Sequence, residues 1–272
     1  MDIFAAIVET VPHHVMLLAF YFLLMYFVLS STTNITYAIP MLLSLVFLES
    51  FQNALNLHID AEVDKMNKPD RPLPSGKLSK KVSKKLIVSF LFFSIFFLSF
   101  YFNLIVLLVF ILDLLLVISY STPPLMLRNK IWGTMLYTSH YSIFPFFYAV
   151  LISEIFFSEL YVIPLIYVFV TIYSSIILKD YEDVTGDKKF NYKSLPIIFG
   201  VKKSVKIHSI LFLVPFILVI FAKMSNFVLF LLPLPLALYM VKLLHNGKFR
   251  RVYILGHFLS AISVIILAWC FI

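Results

Sequence analysis

The chain has 272 residues, of which 61% are hydrophobic and 13% charged, and it carries a formal net charge of +8. Soluble domains are about a quarter charged, and a folded soluble domain needs a wettable surface, so this composition excludes one. The single cysteine, Cys270, excludes an internal disulfide framework and a cysteine-rich metal site.

Nine apolar segments follow one another, at about 13–31, 35–57, 84–101, 103–120, 132–152, 160–178, 206–222, 226–243 and 253–271. They are continuously apolar, without the two-residue alternation of a membrane barrel, which predicts helices. Residues 1–13 have no basic run and no small-residue cleavage site follows, so the first segment is expected to stay in the membrane. Ser30 to Asn34, Phe102-Asn103 and Ser225-Asn226 separate three pairs of segments. Longer polar stretches lie at 58–83 and 179–206, with shorter ones at 121–131 and 244–252.

The cations sort by side. Of 22 Lys and Arg residues, 21 fall in the stretches after even-numbered segments, and Lys223 alone falls on the other side. The positive-inside rule then predicts a multi-pass protein of the cell membrane with a cytoplasmic N-terminus and an external C-terminus. Topology and contact with anionic lipid account for the basic balance, so no nucleic-acid partner is expected.

The carboxylates cluster. Seven of the 14 acidic residues lie in two short windows on the predicted cytoplasmic side: Asp60, Glu62 and Asp64, then Asp180, Glu182, Asp183 and Asp187. Asn56, Asp60 and Asp64 are four apart, so a continued helix puts them on one face, which Asn53, Gln52 and Glu49 extend into the second segment. Asp180, Asp183 and Asp187, at steps of three and four, also share a face. Carboxylates on one face repel, and a hard divalent cation removes the conflict. Mg²⁺ takes one or two carboxylates together with water and phosphate oxygens, which points to a bound diphosphate clamped by neighbouring Lys and Arg residues, among them Lys179. Asp113 and Glu49 are acids within apolar segments and are expected to need buried partners.

The run from Asn56 to Gly76 reads NLHIDAEVDKMNKPDRPLPSG. It resembles the first aspartate-rich motif of the UbiA superfamily of membrane prenyltransferases. Lys179 to Asp187, followed by Ser194-Leu195-Pro196, resembles the second motif, and Tyr120-Ser121-Thr122-Pro123-Pro124 with Arg128 and Lys130 resembles the family's Tyr-Ser-x-Pro-Pro segment. Motif order and segment number agree, so the resemblance covers nearly the whole chain as one domain, 1–272. It implies an all-α integral membrane fold: a nine-transmembrane-helix bundle around a central cavity, with a cytoplasmic cap from loops at about 58–83 and 179–206. It also implies that Asn56, Asp60, Asp64, Asp180, Asp183 and Asp187 bind Mg²⁺ and, through it, a prenyl diphosphate. Lys68, Arg71, Tyr120, Arg128 and Lys130 would hold the diphosphate, with Asn53 beside them. Asp60, Asp64, Asp183, Asp187 and Tyr120 would be the catalytic set. The implied reaction is Mg²⁺-dependent prenyl transfer to a lipid-soluble acceptor. The motifs look most like the ether-lipid branch, the digeranylgeranylglyceryl phosphate synthases, whose acceptor is geranylgeranylglyceryl phosphate.

Two positions depart from the family pattern. Leu57 and His58 follow Asn56 where many members have Asp, and Val11 precedes Pro12 where many have a basic residue, with His13 and His14 next in line. An aromatic or quinone-precursor acceptor stays open, as do a membrane transporter and a relative without catalysis. A CDP-alcohol phosphotransferase is excluded, because its spaced glycines are missing from a chain with only 6 Gly.

Overall fold

The computed structural model describes residues 13–30, 35–101, 103–221 and 227–269. Val11, Pro12, Lys223, Cys270 and most of the breaks at 31–34, 102 and 225–226 lie outside the described residues, as do the side chains of His13 and His14.

Among the described residues the regular structure is entirely helical. We number the α-helices α1 (His13–Leu29), α2 (Ala38–Ile59), α3 (Ala61–Asn67), α4 (Lys80–Leu98), α5 (Leu104–Ser121), α6 (Gly133–Ile152), α7 (Val162–Ile176), α8 (Val184–Lys189), α9 (Leu195–Phe199), α10 (Val201–Phe221), α11 (Phe227–Leu231), α12 (Leu234–His245) and α13 (Phe249–Trp269). Among the described residues, seven stretches are long and apolar enough to cross a membrane: Ile35–Ile59, Leu104–Ser121, Gly133–Ile152, Glu159–Tyr181, Val201–Ile220, Val228–His245 and Phe249–Trp269. The first expected segment appears as the shorter apolar helix Val15–Leu29. The third appears as α4, which starts earlier than its apolar part because Ser79 caps it, accepting from Val82 N at 3.3 Å, and so takes in four lysines. Asn103 caps α5 in the same way, its Oδ1 accepting from Ile105 N at 2.8 Å and Val106 N at 3.3 Å.

The chain divides into two compact units. Unit 1 comprises residues 1–127 and 147–154; unit 2 comprises 128–146 and 155–272. In unit 1, α2 packs against α1, α4 and α5. Its closest partner is α4, where small residues let the backbones approach: Ser44 Oγ donates to Ser94 O and Ser94 Oγ to Ser44 O, each at 2.9 Å. The ring of Phe47 on α2 stacks with Phe93 at 5.2 Å and Phe97 at 5.7 Å on α4. Asp113 on α5 is fully buried and finds the partner that an acid in an apolar segment requires: Tyr148 OH donates to its Oδ2 at 3.2 Å. The other such acid, Glu49, accepts from Asn53 Nδ2 at 2.9 Å.

In unit 2, α7 is flanked by α10 and α13. Ser175 Oγ donates to Gly256 O at 3.0 Å, and Ser260 Oγ to Ser175 Oγ at 3.2 Å. A Cβ on Gly256 would lie 3.1 Å from Ser175 Cβ, tighter than an ordinary contact, so glycine lets α13 come this close to α7 without displacing Ser175. His208 on α10 is fully buried, bonds Ser174 O at 2.6 Å and stacks on Phe212 at 4.8 Å.

Candidate active site

The first aspartate window sits at the end of α2 in unit 1. The regular helix is interrupted at Asp60 (φ −82°, ψ 2°) without losing its hydrogen-bond column. Asp60 N bonds Asn56 O at 2.8 Å, Asp64 N bonds Asp60 O at 2.8 Å, and Lys68 N bonds Asp64 O at 2.7 Å. This four-residue repeat carries Asn56, Asp60 and Asp64 along one side, the stripe that the spacing predicts, and Lys68 follows as the C-cap of α3. Asn56 is fixed from α5, where the buried Ser121 Oγ donates to its Oδ1 at 2.7 Å. Tyr120, also buried, is the preceding residue. Asn53 lies one turn below, with its amide donating to Glu49 Oε1 and Glu49 O.

Asp64 is buried, and Arg71 Nη1 donates to its Oδ2 at 2.7 Å. Burial pushes the Asp64 carboxyl above the usual carboxylate range; the Arg71 charge opposes this, and Asp60 adds to it. Arg71 reaches back because residues 68–79 fold as a run of tight turns. Ser75 N bonds Arg71 O at 3.0 Å, Leu78 N bonds Pro72 O at 2.8 Å, and Gly76 takes the left-handed conformation (φ 76°) that closes the last turn. Leu57 and Leu78 are buried together beneath this loop, with Leu73, Val82 and Leu86 around them. Leu57, one of the departures from the family pattern, thus seats the loop that carries Arg71. His58, the other, has its Nδ1 3.2 Å from Ser83 Oγ at the start of α4.

The second window lies in unit 2. After α7 the chain tightens into a 3-10 helix, Ile177–Tyr181, which holds Lys179 and Asp180. Asp183 then stands at the N-cap of α8, and Asp187 N bonds its carbonyl at 3.0 Å. The window is therefore a 3-10 turn followed by a short helix, with a step of three and then a step of four. Two contacts anchor it to α13. The ring of Tyr181 stacks on Phe249 at 4.7 Å, with His208 at 5.6 Å, and Glu182 Oε2 pairs with Arg250 Nη1 at 3.3 Å. Arg128 donates from Nη2 to Tyr192 OH at 2.6 Å and lies 4.7 Å from that ring's centroid. Lys130 Nζ sits over the Trp132 ring at 5.0 Å. Sequence spacing gave no sign of Tyr192, Arg250 or the Ser121–Asn56 bond, because each pairs residues more than 60 apart.

Among the described residues, no three His, Cys, Asp or Glu side chains form a ready metal cage. The donor set suits Mg²⁺, which needs only one or two carboxylates when water and phosphate oxygens complete its shell. The UbiA prenyltransferase family model matches residues 15–251. The chain belongs to the UbiA prenyltransferase family. Among its UbiA relatives is a digeranylgeranylglyceryl phosphate synthase of Methanosphaera stadtmanae, 32% identical over 167 residues, 61% of this chain and 59% of the relative. One from Thermococcus sibiricus is 30% identical over 163 residues, 60% of this chain and 56% of the relative. These matches span under two thirds of the relatives' length. The fold is shared with a solved digeranylgeranylglyceryl phosphate synthase (TM-score 0.69, 22% identity, 99% of this chain and 98% of that one). It is shared also with a UbiA homologue from Archaeoglobus fulgidus bound to DMAPP and Mg²⁺ (TM-score 0.67, 18% identity, 95% and 98%). A third is an apo UbiA homologue from Aeropyrum pernix K1 (TM-score 0.76, 15% identity, 96% and 99%).

Proposed function

We propose that this UbiA protein transfers a prenyl group from an isoprenoid diphosphate to a lipid-soluble acceptor, and that the acceptor is geranylgeranylglyceryl phosphate in ether-lipid synthesis. The observation that carries the reading is the column Asn56–Asp60–Asp64–Lys68 with Arg71 bonded to Asp64, in a chain of this family. The names of the matched relatives, digeranylgeranylglyceryl phosphate synthases, support the acceptor. The DMAPP and Mg²⁺ bound to the Archaeoglobus homologue support the donor and the metal.

In this reading Asp60 and Asp64, with Asn56 beside them, and Asp180, Asp183 and Asp187 hold Mg²⁺ and the diphosphate. The metal, when bound, neutralises diphosphate charge and so eases ionisation of the allylic C–O bond. Lys68, Arg71, Arg128, Lys130 and Lys179 supply fixed positive charge to the departing pyrophosphate, and Tyr120 a hydroxyl near it. Arg71 is held by Asp64, so its guanidinium is in place before substrate arrives. In this reading the apolar helices shelter the allylic cation from water until the acceptor hydroxyl oxygen attacks, its proton passing to the departing pyrophosphate. The reading includes nine transmembrane helices, a cytoplasmic cap from the two aspartate-bearing segments, and a cytoplasmic N-terminus.

The test is pyrophosphate release by the purified chain with geranylgeranyl diphosphate, Mg²⁺ and a panel of acceptors. Release and a prenylated product are expected with geranylgeranylglyceryl phosphate, and both should vanish in Asp60→Ala, in Asp183→Ala and with EDTA. Product with a phenolic acceptor instead would replace the acceptor assignment. No release from any allylic diphosphate by folded protein would overturn the enzyme reading.

A further inference from the structure

Helix α4 carries two bands on one face. At 100° per residue, Lys80, Lys81, Lys84 and Lys85 fall within an arc of about 140° in its first two turns. The same arc, continued down the helix, holds Val88, Phe92 and Ile95, exposed at 68%, 61% and 48%. The opposite side holds the buried Ser83, Phe90 and Ser94, with Ser94 packed against α2. The apolar band runs about 10 Å from Val88 to Ile95, and the whole face from Lys84 to Ile95 about 17 Å.

The cationic band is electrostatically unfavourable as it stands. Lys80 and Lys84, and Lys81 and Lys85, are like charges four apart, which repel across a helix turn. Lys80 and Lys81 also lie in the first turn, at the positive end of the helix dipole, where cations are disfavoured. The first turn contains no acidic residue, and the carboxylate of Glu62 stands 3.9 Å from Lys80 while bonding Lys65 at 2.8 Å. An external anion next to an apolar chain would satisfy both bands.

We infer that the outer face of α4 is a binding surface for an anionic phospholipid, its phosphate against Lys80, Lys81, Lys84 and Lys85 and its chain along Val88, Phe92 and Ile95. This surface borders the first aspartate window at the Lys80–Glu62 contact of 3.9 Å, and it does not depend on the chemistry proposed for the aspartates. It makes the protein selective for the lipid beside it, beyond a general preference for an anionic leaflet.

The experiment is thermal unfolding of the full chain in neutral detergent, titrated with phosphatidylglycerol, with phosphatidylcholine of the same chains, and with inorganic phosphate. Phosphatidylglycerol is expected to raise the midpoint saturably, and the other two to leave it near its starting value. A lysine at an anionic surface is worth roughly fivefold in binding. The variants Lys80→Gln/Lys84→Gln and Lys81→Gln/Lys85→Gln should therefore each need on the order of tenfold more phosphatidylglycerol or greater. Phe92→Ser, which keeps every cation, should also weaken the response, and it serves if a lysine variant does not fold. An equal shift with phosphatidylcholine, an equal shift with inorganic phosphate, or an undiminished response in the variants would overturn the proposal. So would a response lost only in Lys202→Gln/Lys203→Gln/Lys206→Gln on α10.

Discussion

Ser121, the last residue of α5, donates to Oδ1 of Asn56 at 2.7 Å, so the head of the first aspartate stripe is set by a hydroxyl from another helix. The groups that orient binding residues often matter nearly as much as the binding residues themselves. Ser121→Ala should lower prenyl diphosphate affinity on the order of tenfold, measured by calorimetry with Mg²⁺ present. Ser121→Thr, which keeps the hydroxyl, should restore most of it. An unchanged affinity in Ser121→Ala would remove the bond from the binding machinery.

Asp64 gives a pH dependence whose sign can be worked out. Its folded-state affinity for a proton is raised above that of an ordinary carboxylate at 3.8, by burial first. The folded form therefore holds the proton more tightly than the unfolded chain, and stability falls as pH rises above about 3.8, levelling off beyond the folded value. Arg71→Gln removes the opposing cation, so the decline should deepen and extend towards neutral pH. Thermal midpoints of both proteins across this range, in EDTA, would show it; parallel curves would contradict the pairing.

Gly256→Ala should destabilise the protein by about 1–3 kcal/mol, because the added methyl meets Ser175 Cβ and Oγ at 3.1 Å and Leu178 Cδ1 at 3.3 Å. Ser175→Ala in the same chain should recover part of the loss by freeing one of those atoms. Unfolding in detergent, compared across the two variants, tests the close approach of α7 and α13.

Tyr148→Phe should cost about 0.6 kcal/mol, and at most about 1.7, since hydrogen bonds between membrane helices are worth that much. The methyl-sized change leaves Asp113 buried with one donor fewer. Unfolding equilibria in mixed detergent would read this small loss, and a loss several times larger would mean that the tyrosine does more than donate to Asp113.

Much of this was legible in the sequence because it depends on local spacing. Apolar length marked the membrane helices, and the four-residue step from Asn56 to Asp60 to Asp64 became a continuous hydrogen-bond column. The start of α4 was misplaced by four residues, because its lysines look like loop when only hydropathy is read, whereas the Ser79 cap decides the helix end. The second window was legible as a cluster but not as a 3-10 turn, since that tightening is enforced by the packing of Tyr181 on Phe249 and His208. The partners of Asn56, Asp113 and Arg128 were illegible for the same reason: tertiary packing chooses them, and no local pattern encodes it.

The loop carrying Arg71 is fastened twice to the end of α2, by the ion pair to Asp64 and by Leu73 and Leu78 over Leu57. Fixing a residue's backbone costs roughly 1–2 kcal/mol of entropy, and for these residues that loss occurs when the chain folds. In the proposed reaction, a diphosphate arriving at the stripe would meet the Arg71 cation already in place, which would leave its binding energy to act on the bond to be broken.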